Sequence, residues 1–320
     1  MPRISPALWA LFTRLGVEEN VLLKHFSTLK VGGPARFLAT ANTVEQVATL
    51  QLAAKEHGLR MHILSGGSNT LFSDDGFVGL ILRLGASFDF IREDGQKAQV
   101  GAGTSFAKLT KAAVMRGFLP AVGWCGTPGL VGGALRMNAG TRLGEIKDAV
   151  QGIFGVRHGK EEFYPKDSIG FGYRRTELPD DLIIYKADLY FDTQHIGPRD
   201  LVLQQMAEYR QRRKATQPIK NSLGSFFKNP YPDYAAQLIE KCNLKGLKYR
   251  GAQISPLHAN FIINTGDASA NDIYYIASIA QQAVFENFGI HLHPEVRMVG
   301  TFPALSKDSM DTDQLAIQNS

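Results

Sequence analysis

The chain has 320 residues, and its 44% hydrophobic and 20% charged residues are typical of a globular protein with two or three domains. The formal charge is +5, but the basic residues are scattered, so the sequence favours anionic small ligands and excludes a dense nucleic-acid-binding patch. Two distant cysteines exclude a disulfide framework and a zinc site, and no apolar stretch reaches the ~18 residues of a membrane span. We therefore expect a cytoplasmic protein that binds no metal, membrane or nucleic acid.

The first predicted elements lead to a glycine turn. Residues 1–19 contain a short helix, and a second helix begins at Thr43, which we expect to form a capping box with Gln46. A short buried strand at 61–64 then runs into the segment SGGSNT at 65–70. Backbone N–H groups can converge on an anion in such a turn, so we interpret it as a phosphate cradle. The alternative is an ordinary glycine turn after a strand.

The middle of the chain contains a denser glycine cluster. Strands are predicted at 78–82 and 98–100, followed by a helix whose N-cap is Thr104. The cluster that follows consists of Gly123, Gly126, Gly129, Gly132, Gly133 and Gly140. Two explanations stay open here: the backbone lies against a flat or bulky ligand, or two elements pack tightly together.

The remaining elements alternate between strands and helices. Strand patterns occur at 153–163, 182–191, 252–255, 259–263 and 295–299, and helical patterns at 199–215, 235–241 and 271–288. In the last strand, alternation places Val296 and Met298 on one face and Glu295 and Arg297 on the other. Residues 303–320 are predicted to be a disordered tail.

The segment NSLGSFFKNP at 221–230 carries three polar groups close together. It carries the hydroxyl of Ser225, the ammonium group of Lys228 and the amide of Asn229, while Phe226 and Phe227 are expected to anchor it. A hydroxyl on an anchored segment can be aimed at a ligand. The alternative is a strand end followed by a turn.

Eight blocks of sequence follow one another between about residue 20 and residue 300. They are FSTLKVGGPA (26–35), GGSN (66–69), TPGLVGGA (127–134), MNAG (137–140), YR (173–174), GSFFKNP (224–230), GAQIS with HANF (251–255 and 258–261) and PEVR (294–297). In this order they resemble the MurB-type UDP-N-acetylenolpyruvoylglucosamine reductases. The resemblance implies an FAD-dependent oxidoreductase that uses NADPH in peptidoglycan precursor synthesis.

The resemblance also implies an architecture of mixed α/β class. A two-part FAD-binding region of the vanillyl-alcohol-oxidase type, at 1–75 and 76–200, is expected to precede an α/β substrate-binding domain at 201–302. Arg174 and Ser225 are only 51 positions apart, so the chain resembles the form of the family without an extra tyrosine-bearing loop. We expect a monomer.

The resemblance assigns three sets of site residues. The catalytic residues are Ser225, Arg174 and Glu295. The FAD contacts are Lys30, Gly32, Gly66, Gly67, Ser68, Asn69, Thr127, Pro128, Gly129, Gly132, Gly133, Asn138, Ala139 and Gly140. The substrate contacts are Tyr173, Lys228 and Asn229. Trp124 and Cys125 depart from the family pattern, and we expect them to alter the flavin contacts.

The implied reaction reduces an enolpyruvyl ether to a lactyl ether, with hydride delivered from flavin N5 to the terminal alkene carbon. Hydride addition pushes negative charge onto the conjugated carboxylate, and this charge needs preorganised cations and donors. Arg174 suits that role, and Glu295 can help only as a protonated donor, which requires a raised pKa. Ser225 would protonate the adjacent carbon.

Two other functions are weighed against this one. An FAD oxidase or dehydrogenase of the same fold would share the glycine loops but would not require Ser225, Arg174 and Glu295 to converge. A non-catalytic nucleotide-sugar sensor would keep the fold without the chemistry. The histidines, including His258, His291 and His293, are interpreted as structural because they lack metal-like partners.

Overall fold

The computed structural model describes residues 4–303 and the backbone of 315–317. The chain divides into two compact units, each formed by three segments. Unit 1 comprises Met1–Glu19, Phe37–Gly66 and Gly79–Arg212, and unit 2 comprises Asn20–Arg36, Gly67–Val78 and Arg213–Ser320. The domain boundaries expected after residues 75, 200 and 302 stay predictions.

Seven α-helices occur in the described part of the chain. They are α1 (Pro6–Arg14), α2 (Val44–Glu56), α3 (Phe106–Met115), α4 (Val131–Arg136), α5 (Arg199–Thr216), α6 (Ala235–Lys241) and α7 (Ala270–Phe288). The predicted helices at 43–58, 199–215, 235–241 and 271–288 correspond to α2, α5, α6 and α7.

Short strands make up the rest of the regular structure. In chain order they are β1 (Glu18–Leu22), β2 (Pro34–Ala41), β3 (Met61–Ile63), β4 (Thr70–Phe72), β5 (Phe77–Leu84), β6 (Ile91–Asp94), β7 (Lys97–Gly101), β8 (Gly140–Thr141), β9 (Gly144–Glu145), β10 (Val150–Arg157), β11 (Lys160–Pro165), β12 (Gly170–Gly172), β13 (Arg175–Glu177), β14 (Ile183–Tyr190), β15 (Ser222–Ser225), β16 (Leu247–Tyr249), β17 (Ala252–Ile254), β18 (Phe261–Asn264), β19 (Arg297–Val299) and β20 (Leu315–Ile317).

Unit 1 contains a five-stranded sheet in the order β11-β10-β14-β7-β6. One hydrophobic core, which includes Phe106, Phe118 and Trp124, packs with this sheet. A second core forms where α1 and α2 bury apolar residues beside β5 and its parallel neighbour β3. Phe12 and Phe37 meet there edge to face, with ring centroids 5.1 Å apart.

Unit 2 contains a sheet in the order β15-β18-β17-β16-β20 together with α6 and α7. The apolar residues of α7 that were expected in register, such as Ile273 and Ile276, are buried. The helix begins at a capping box of Ser269 and Asp272 and ends at Gly289, which has φ 68°. The parallel pair β4–β19 also belongs to this unit, with Arg297 opposite Thr70.

Two expected helix caps are wrong in detail. Gln46 accepts the N–H of Asn42 instead of that of Thr43, so the cap of α2 is not a reciprocal box. Thr104 does not cap α3, because its hydroxyl donates to Phe90 O at 3.0 Å and Ser105 is the N-cap.

The last predicted strand is shorter than expected. It starts at Arg297, so Val296 lies outside it, and Val296 is buried while Met298 is 36% exposed. The expected common face of these two residues is therefore absent, because the regular alternation of side chains begins only where the strand does.

The tail predicted at 303–320 lies largely outside the described residues. Within it, β20 pairs antiparallel with β16, and Lys248 lies opposite Ala316. Across residues 4–303 and 315–317, no helix combines the length and apolar character needed to cross a bilayer.

Candidate active site

Ser225 is the last residue of β15, at one edge of the unit 2 sheet. It lies opposite Phe261 on β18, and the register shifts between Ser222 and Ser225. Gly224 has φ +81°, and an added Cβ there would meet nothing within 4 Å. The glycine is therefore required by the left-handed backbone conformation and not by a close protein neighbour.

The two phenylalanines that follow Ser225 anchor the segment. Phe226 is 2% exposed and Phe227 is 1% exposed. Their rings meet edge to face with centroids 5.1 Å apart. Burial of both rings fixes the backbone on the C-terminal side of the Ser225 hydroxyl, as the sequence indicated.

Glu295 is tied to the same segment through the backbone. Its N–H donates to Phe226 O at 2.8 Å. On the other side, Nδ2 of Asn69 donates to Glu295 O at 3.1 Å, and Arg297 N–H donates to Asn69 O at 3.0 Å. The end of the first glycine turn, the Glu295 segment and the Ser225 segment therefore form one hydrogen-bonded array within unit 2.

Thr28 connects the glycine turn to the other end of β15. Its N–H donates to Gly67 O at 3.1 Å, and its hydroxyl donates to Ser222 O at 2.7 Å. Gly67 has φ +59°, and an added Cβ would overlap the carbonyl of Phe26. Thr28 was part of a matching sequence block, but no local pattern indicated this role, because both partners are distant along the chain.

The second glycine cluster lies in unit 1 and packs closely against Ser65 and Gly66 of the first glycine turn. A Cβ on Gly66 would lie 2.5 Å from Gly129 Cα, and a Cβ on Gly133 would lie 3.0 Å from Ser65 Oγ. The hydroxyl of Ser65 is buried and has no hydrogen-bond partner among the described residues. A buried hydroxyl left over beside a close-packed glycine cradle fits a bound polar ligand such as the diphosphate of FAD.

Arg174 is held by the block at 137–140. Its Nη1 donates to Gly140 O at 2.8 Å, and its guanidinium carbon lies 5.4 Å from the centroid of the Tyr173 ring. Asn138 is fully buried, with Nδ2 donating to Glu145 Oε2 at 2.9 Å and to Gly172 O at 3.1 Å. The block that was expected to contact FAD therefore also orients the half-buried Arg174.

The expected substrate contacts have different environments. Lys228 is half-buried, and its N–H donates to His293 O at 2.9 Å. Asn229 is exposed, and its Oδ1 accepts the N–H of Ala235 at the start of α6 at 3.1 Å. Tyr173 is 50% exposed. Their contacts with substrate stay predictions.

Trp124 and Cys125, which depart from the family pattern, are both buried in unit 1. The Trp124 ring stacks on Phe106 at 5.7 Å and is tilted against Phe118 at 5.8 Å. Its Nε1 is buried and has no hydrogen-bond partner among the described residues. Trp124 is thus a core residue, and its expected effect on the flavin stays a prediction.

Two histidines lie in the hydrogen-bond network of the Ser225 segment: His293, whose carbonyl accepts the Lys228 N–H, and His258, which bonds to Asn260. The second of these is half-buried. Its Nδ1 accepts the N–H of Asn260 at 3.3 Å, and burial lowers its pKa. In the described part of the chain, no three His, Cys, Asp or Glu side chains are grouped so that they could bind a metal ion.

The structure thus gathers the expected residues into two groups. In unit 2, the array joins Glu295 and Asn69 to Phe226, the residue after Ser225. In unit 1, Arg174 is joined to Gly140. The convergence of Arg174 with Ser225 and Glu295, and the individual FAD contacts, stay predictions.

Comparisons with known proteins show which family the chain is similar to. A family model described as UDP-N-acetylenolpyruvoylglucosamine reductase, C-terminal domain, matches residues 217–299, and one described as FAD binding domain matches residues 35–157. The chain is 38% identical over 280 residues to the UDP-N-acetylenolpyruvoylglucosamine reductase of Anaeromyxobacter dehalogenans (strain 2CP-C), covering 87% of this chain and 84% of the relative. It is 34% identical to the reductase of the same name from Bacillus licheniformis, covering 89% of this chain and 94% of that protein.

A solved structure is also similar over most of the chain. The crystal structure of UDP-N-acetylenolpyruvylglucosamine reductase (MurB) from Thermus caldophilus matches with a TM-score of 0.76 and 36% identity, covering 89% of this chain and 99% of that chain. The expected fold class, an FAD-binding region followed by a C-terminal α/β domain, is confirmed.

Proposed function

Because the chain belongs to the UDP-N-acetylenolpyruvoylglucosamine reductase family, we propose that it uses NADPH to reduce UDP-N-acetylglucosamine enolpyruvate to UDP-N-acetylmuramate. The family resemblance drawn from the eight sequence blocks is confirmed. The protein is an FAD-binding oxidoreductase of peptidoglycan precursor synthesis. We further propose that it works as a monomer in the cytoplasm, where NADPH and nucleotide sugars are found.

One observation carries the mechanistic part of the proposal: the hydrogen bond from Glu295 N–H to Phe226 O, at 2.8 Å. It joins the segment that carries the proposed proton donor, Ser225, to the segment that carries the proposed carboxyl group. These residues are far apart in sequence, so their backbones are neighbours only because the fold makes them so. Hydride transfer from NADPH to the terminal alkene carbon is the chemistry that bound FAD would supply.

The residues that would hold FAD fit its diphosphate. A Cβ on Gly66 would lie 2.5 Å from Gly129 Cα, and one on Gly133 would lie 3.0 Å from Ser65 Oγ, so the cradle is closely packed. The buried Ser65 hydroxyl is available as a donor. We propose that this cradle and the turn at 66–69 bind the cofactor, as the sequence blocks predicted. The mild positive charge of the chain, +5, favours binding of an anionic cofactor and an anionic substrate.

The proposed role of Arg174 follows from where charge develops. Hydride addition to the terminal carbon moves an electron pair toward the conjugated carboxylate, which then carries a second negative charge. The guanidinium group is permanently charged and planar, and its bond to Gly140 O fixes its orientation before the reaction. Glu295 in its protonated form would donate to the same oxygen atoms.

Ser225 then completes the reduction. Its hydroxyl donates a proton to the carbon next to the carboxylate, and the electron pair of the enolate forms the new C–H bond. A hydroxyl is a weak acid, but this carbanion is strongly basic, so the transfer is favourable when the two atoms are aligned. Lys228, Asn229 and Tyr173 are proposed to bind the diphosphate and sugar of the substrate.

The test is an anaerobic titration of the purified protein followed by its visible spectrum. The proposal predicts a bound yellow flavin that NADPH bleaches and that UDP-N-acetylglucosamine enolpyruvate restores, with a product two hydrogen atoms heavier. Bleaching by alcohols or hydroxy acids would favour an FAD oxidase or dehydrogenase, and a colourless protein would favour a sensor. Either result would contradict the proposed reaction.

A further inference from the structure

Asn260, the residue just before β18, holds the backbone that follows Ser225. It is 3% exposed. Its Oδ1 accepts the N–H of Phe227 at 2.9 Å, and its Nδ2 donates to Phe227 O at 2.8 Å. Its backbone carbonyl also accepts the N–H of Phe226 at 2.7 Å. One residue therefore makes three hydrogen bonds to the two residues after Ser225.

The hydrogen bonds of Asn260 lie just beyond the last residue pair of β15 and β18. Ser225 is the last residue of β15 that is paired with β18. Phe227 is buried beyond that point and bridges to Pro294 on its other side, so without Asn260 its N–H and carbonyl would lack both water and a partner on the β18 side. The amide of Asn260 supplies the missing acceptor and the missing donor, and thereby determines the path of the chain beyond Ser225.

The opposite side of the same segment is fixed by residues 293–295. Glu295 N–H donates to Phe226 O at 2.8 Å, and Lys228 N–H donates to His293 O at 2.9 Å. The segment between Ser225 and Lys228 is thus clamped between Asn260 and the segment that carries Glu295. If the hydrogen bonds to Asn260 are lost, the side chains at both ends of this segment, Ser225 and Lys228, can be displaced.

We propose that Asn260 is a positioning residue that aligns Ser225 and Lys228 with the substrate for the second half of the reaction. The inference rests on the proposed function, since it assigns Ser225 the proton transfer. Asn260 bonds to the backbone of Phe227, so it would affect the reaction by positioning other residues. Misplacement of a reacting group by about 1 Å can lower a rate by about 100-fold.

Asn264, the last residue of β18, provides a matched control. It is 6% exposed, and its amide also bonds to backbone groups: Nδ2 donates to Leu29 O at 3.0 Å, and Oδ1 accepts Gly266 N–H at 2.8 Å. None of these partners belongs to the segment from Ser225 to Lys228. A general loss of stability would therefore affect variants at both positions, whereas a positioning effect would affect Asn260 alone.

The experiment measures the two half-reactions separately, by anaerobic stopped-flow spectroscopy of the holoenzyme. In Asn260→Ala, we expect NADPH to reduce the flavin as in the wild type, and the enolpyruvyl substrate to reoxidise it about 100-fold more slowly. Asn264→Ala should show no such split. Hydrogen exchange at the Phe227 amide should also become faster in Asn260→Ala, because its acceptor is removed. If Asn260→Ala does not fold, Asn260→Asp replaces it, since that variant keeps the acceptor for Phe227 N–H and loses only the donor to Phe227 O.

The outcomes separate the inference from the proposed function. Reoxidation as fast in the Asn260 variant as in Asn264→Ala, with Ser225→Ala impaired, would overturn the role of Asn260 and leave the function intact. Normal reoxidation in Ser225→Ala would overturn the proposed proton transfer itself. The expected pattern is that Ser225→Ala and the Asn260 variant share the same defect.

Discussion

The backbone N–H of Glu295 donates to the carbonyl oxygen of Phe226 across 2.8 Å. Through this bond, two residues separated by most of the C-terminal third of the chain hold the Ser225 and Glu295 segments side by side. The bond uses backbone atoms only, so the side chains of both segments can be changed while the scaffold persists. This property makes the proposed roles of the side chains separately testable.

Substitution of Glu295 distinguishes a protonated donor from an anion. If Glu295 acts as a protonated donor, Glu295→Gln keeps a donor of similar shape and should retain more activity than Glu295→Ala, in which loss of a donor to the developing charge lowers kcat by about 100- to 1,000-fold. The wild-type rate should fall as the carboxyl group loses its proton with rising pH, and Glu295→Gln should not show this fall. Equal losses in the two variants would contradict a donor role. The measurement is the reoxidation rate by stopped-flow as a function of pH.

Arg174→Lys tests the need for a planar guanidinium. Lysine keeps the charge but loses the planar fork, one nitrogen of which donates to Gly140 O and which is proposed to bind the carboxylate of the substrate. We expect reoxidation by substrate to slow by about 100-fold. Arg175→Lys is the control, because the Arg175 side chain is 70% exposed and forms a surface pair with Glu177 at 3.3 Å. Equal rates for the two variants would exclude Arg174 from charge stabilisation.

Gly66→Ala tests the close packing of the proposed cofactor cradle. The new Cβ would lie 2.5 Å from Gly129 Cα, and overpacking of this kind destabilises a protein by about 1–3 kcal/mol. We therefore expect a lower Tm and a lower flavin content after purification. Gly197→Ala is the control, because its Cβ would meet Leu119 at an ordinary 3.4 Å. Full flavin content in Gly66→Ala would show that the cradle tolerates a side chain and does not bind the cofactor closely.

His258 predicts a pH dependence of stability. Burial lowers its pKa from 6.5, with a smaller lowering effect from Lys245 and an opposing one from Glu240. The unfolded chain therefore binds a proton at His258 near pH 6.5, whereas the folded chain binds it only at lower pH. The free energy of unfolding is thus highest above pH 6.5 and decreases as the pH falls below it. Urea unfolding of His258→Asn should depend less on pH in this window than unfolding of the wild type. A pH dependence as steep in His258→Asn as in the wild type would contradict this assignment.

The local elements of the fold could be predicted because their signals are local. The helix α6 was predicted with its observed bounds, and α7 within one residue, since its periodic apolar face ends at Gly289. Expectations that depended on distant partners were less successful. Thr104 resembles an N-cap in sequence, but it bonds to Phe90 O, a partner that no local pattern reveals.

The candidate site could be predicted as a set of residues but not as a network. The blocks identified Ser225, Glu295 and Asn69, whereas the hydrogen bond of Asn69 to Glu295 O spans 226 positions and leaves no periodic trace. Asn260 lay within a matching block and was missed for the same reason. Of the two explanations for the glycines, close packing of protein segments is observed at Gly66, where the neighbour is the backbone of Gly129, and ligand contact stays a prediction.

Ser225 is proposed to supply the proton in the second half of the reaction, and anaerobic stopped-flow spectroscopy of Ser225→Ala measures that step. NADPH should bleach the flavin of the variant at the wild-type rate, while the enolpyruvyl substrate should restore its absorbance about 100- to 10,000-fold more slowly. Restoration of the flavin absorbance at the wild-type rate would rule out Ser225 as the proton donor.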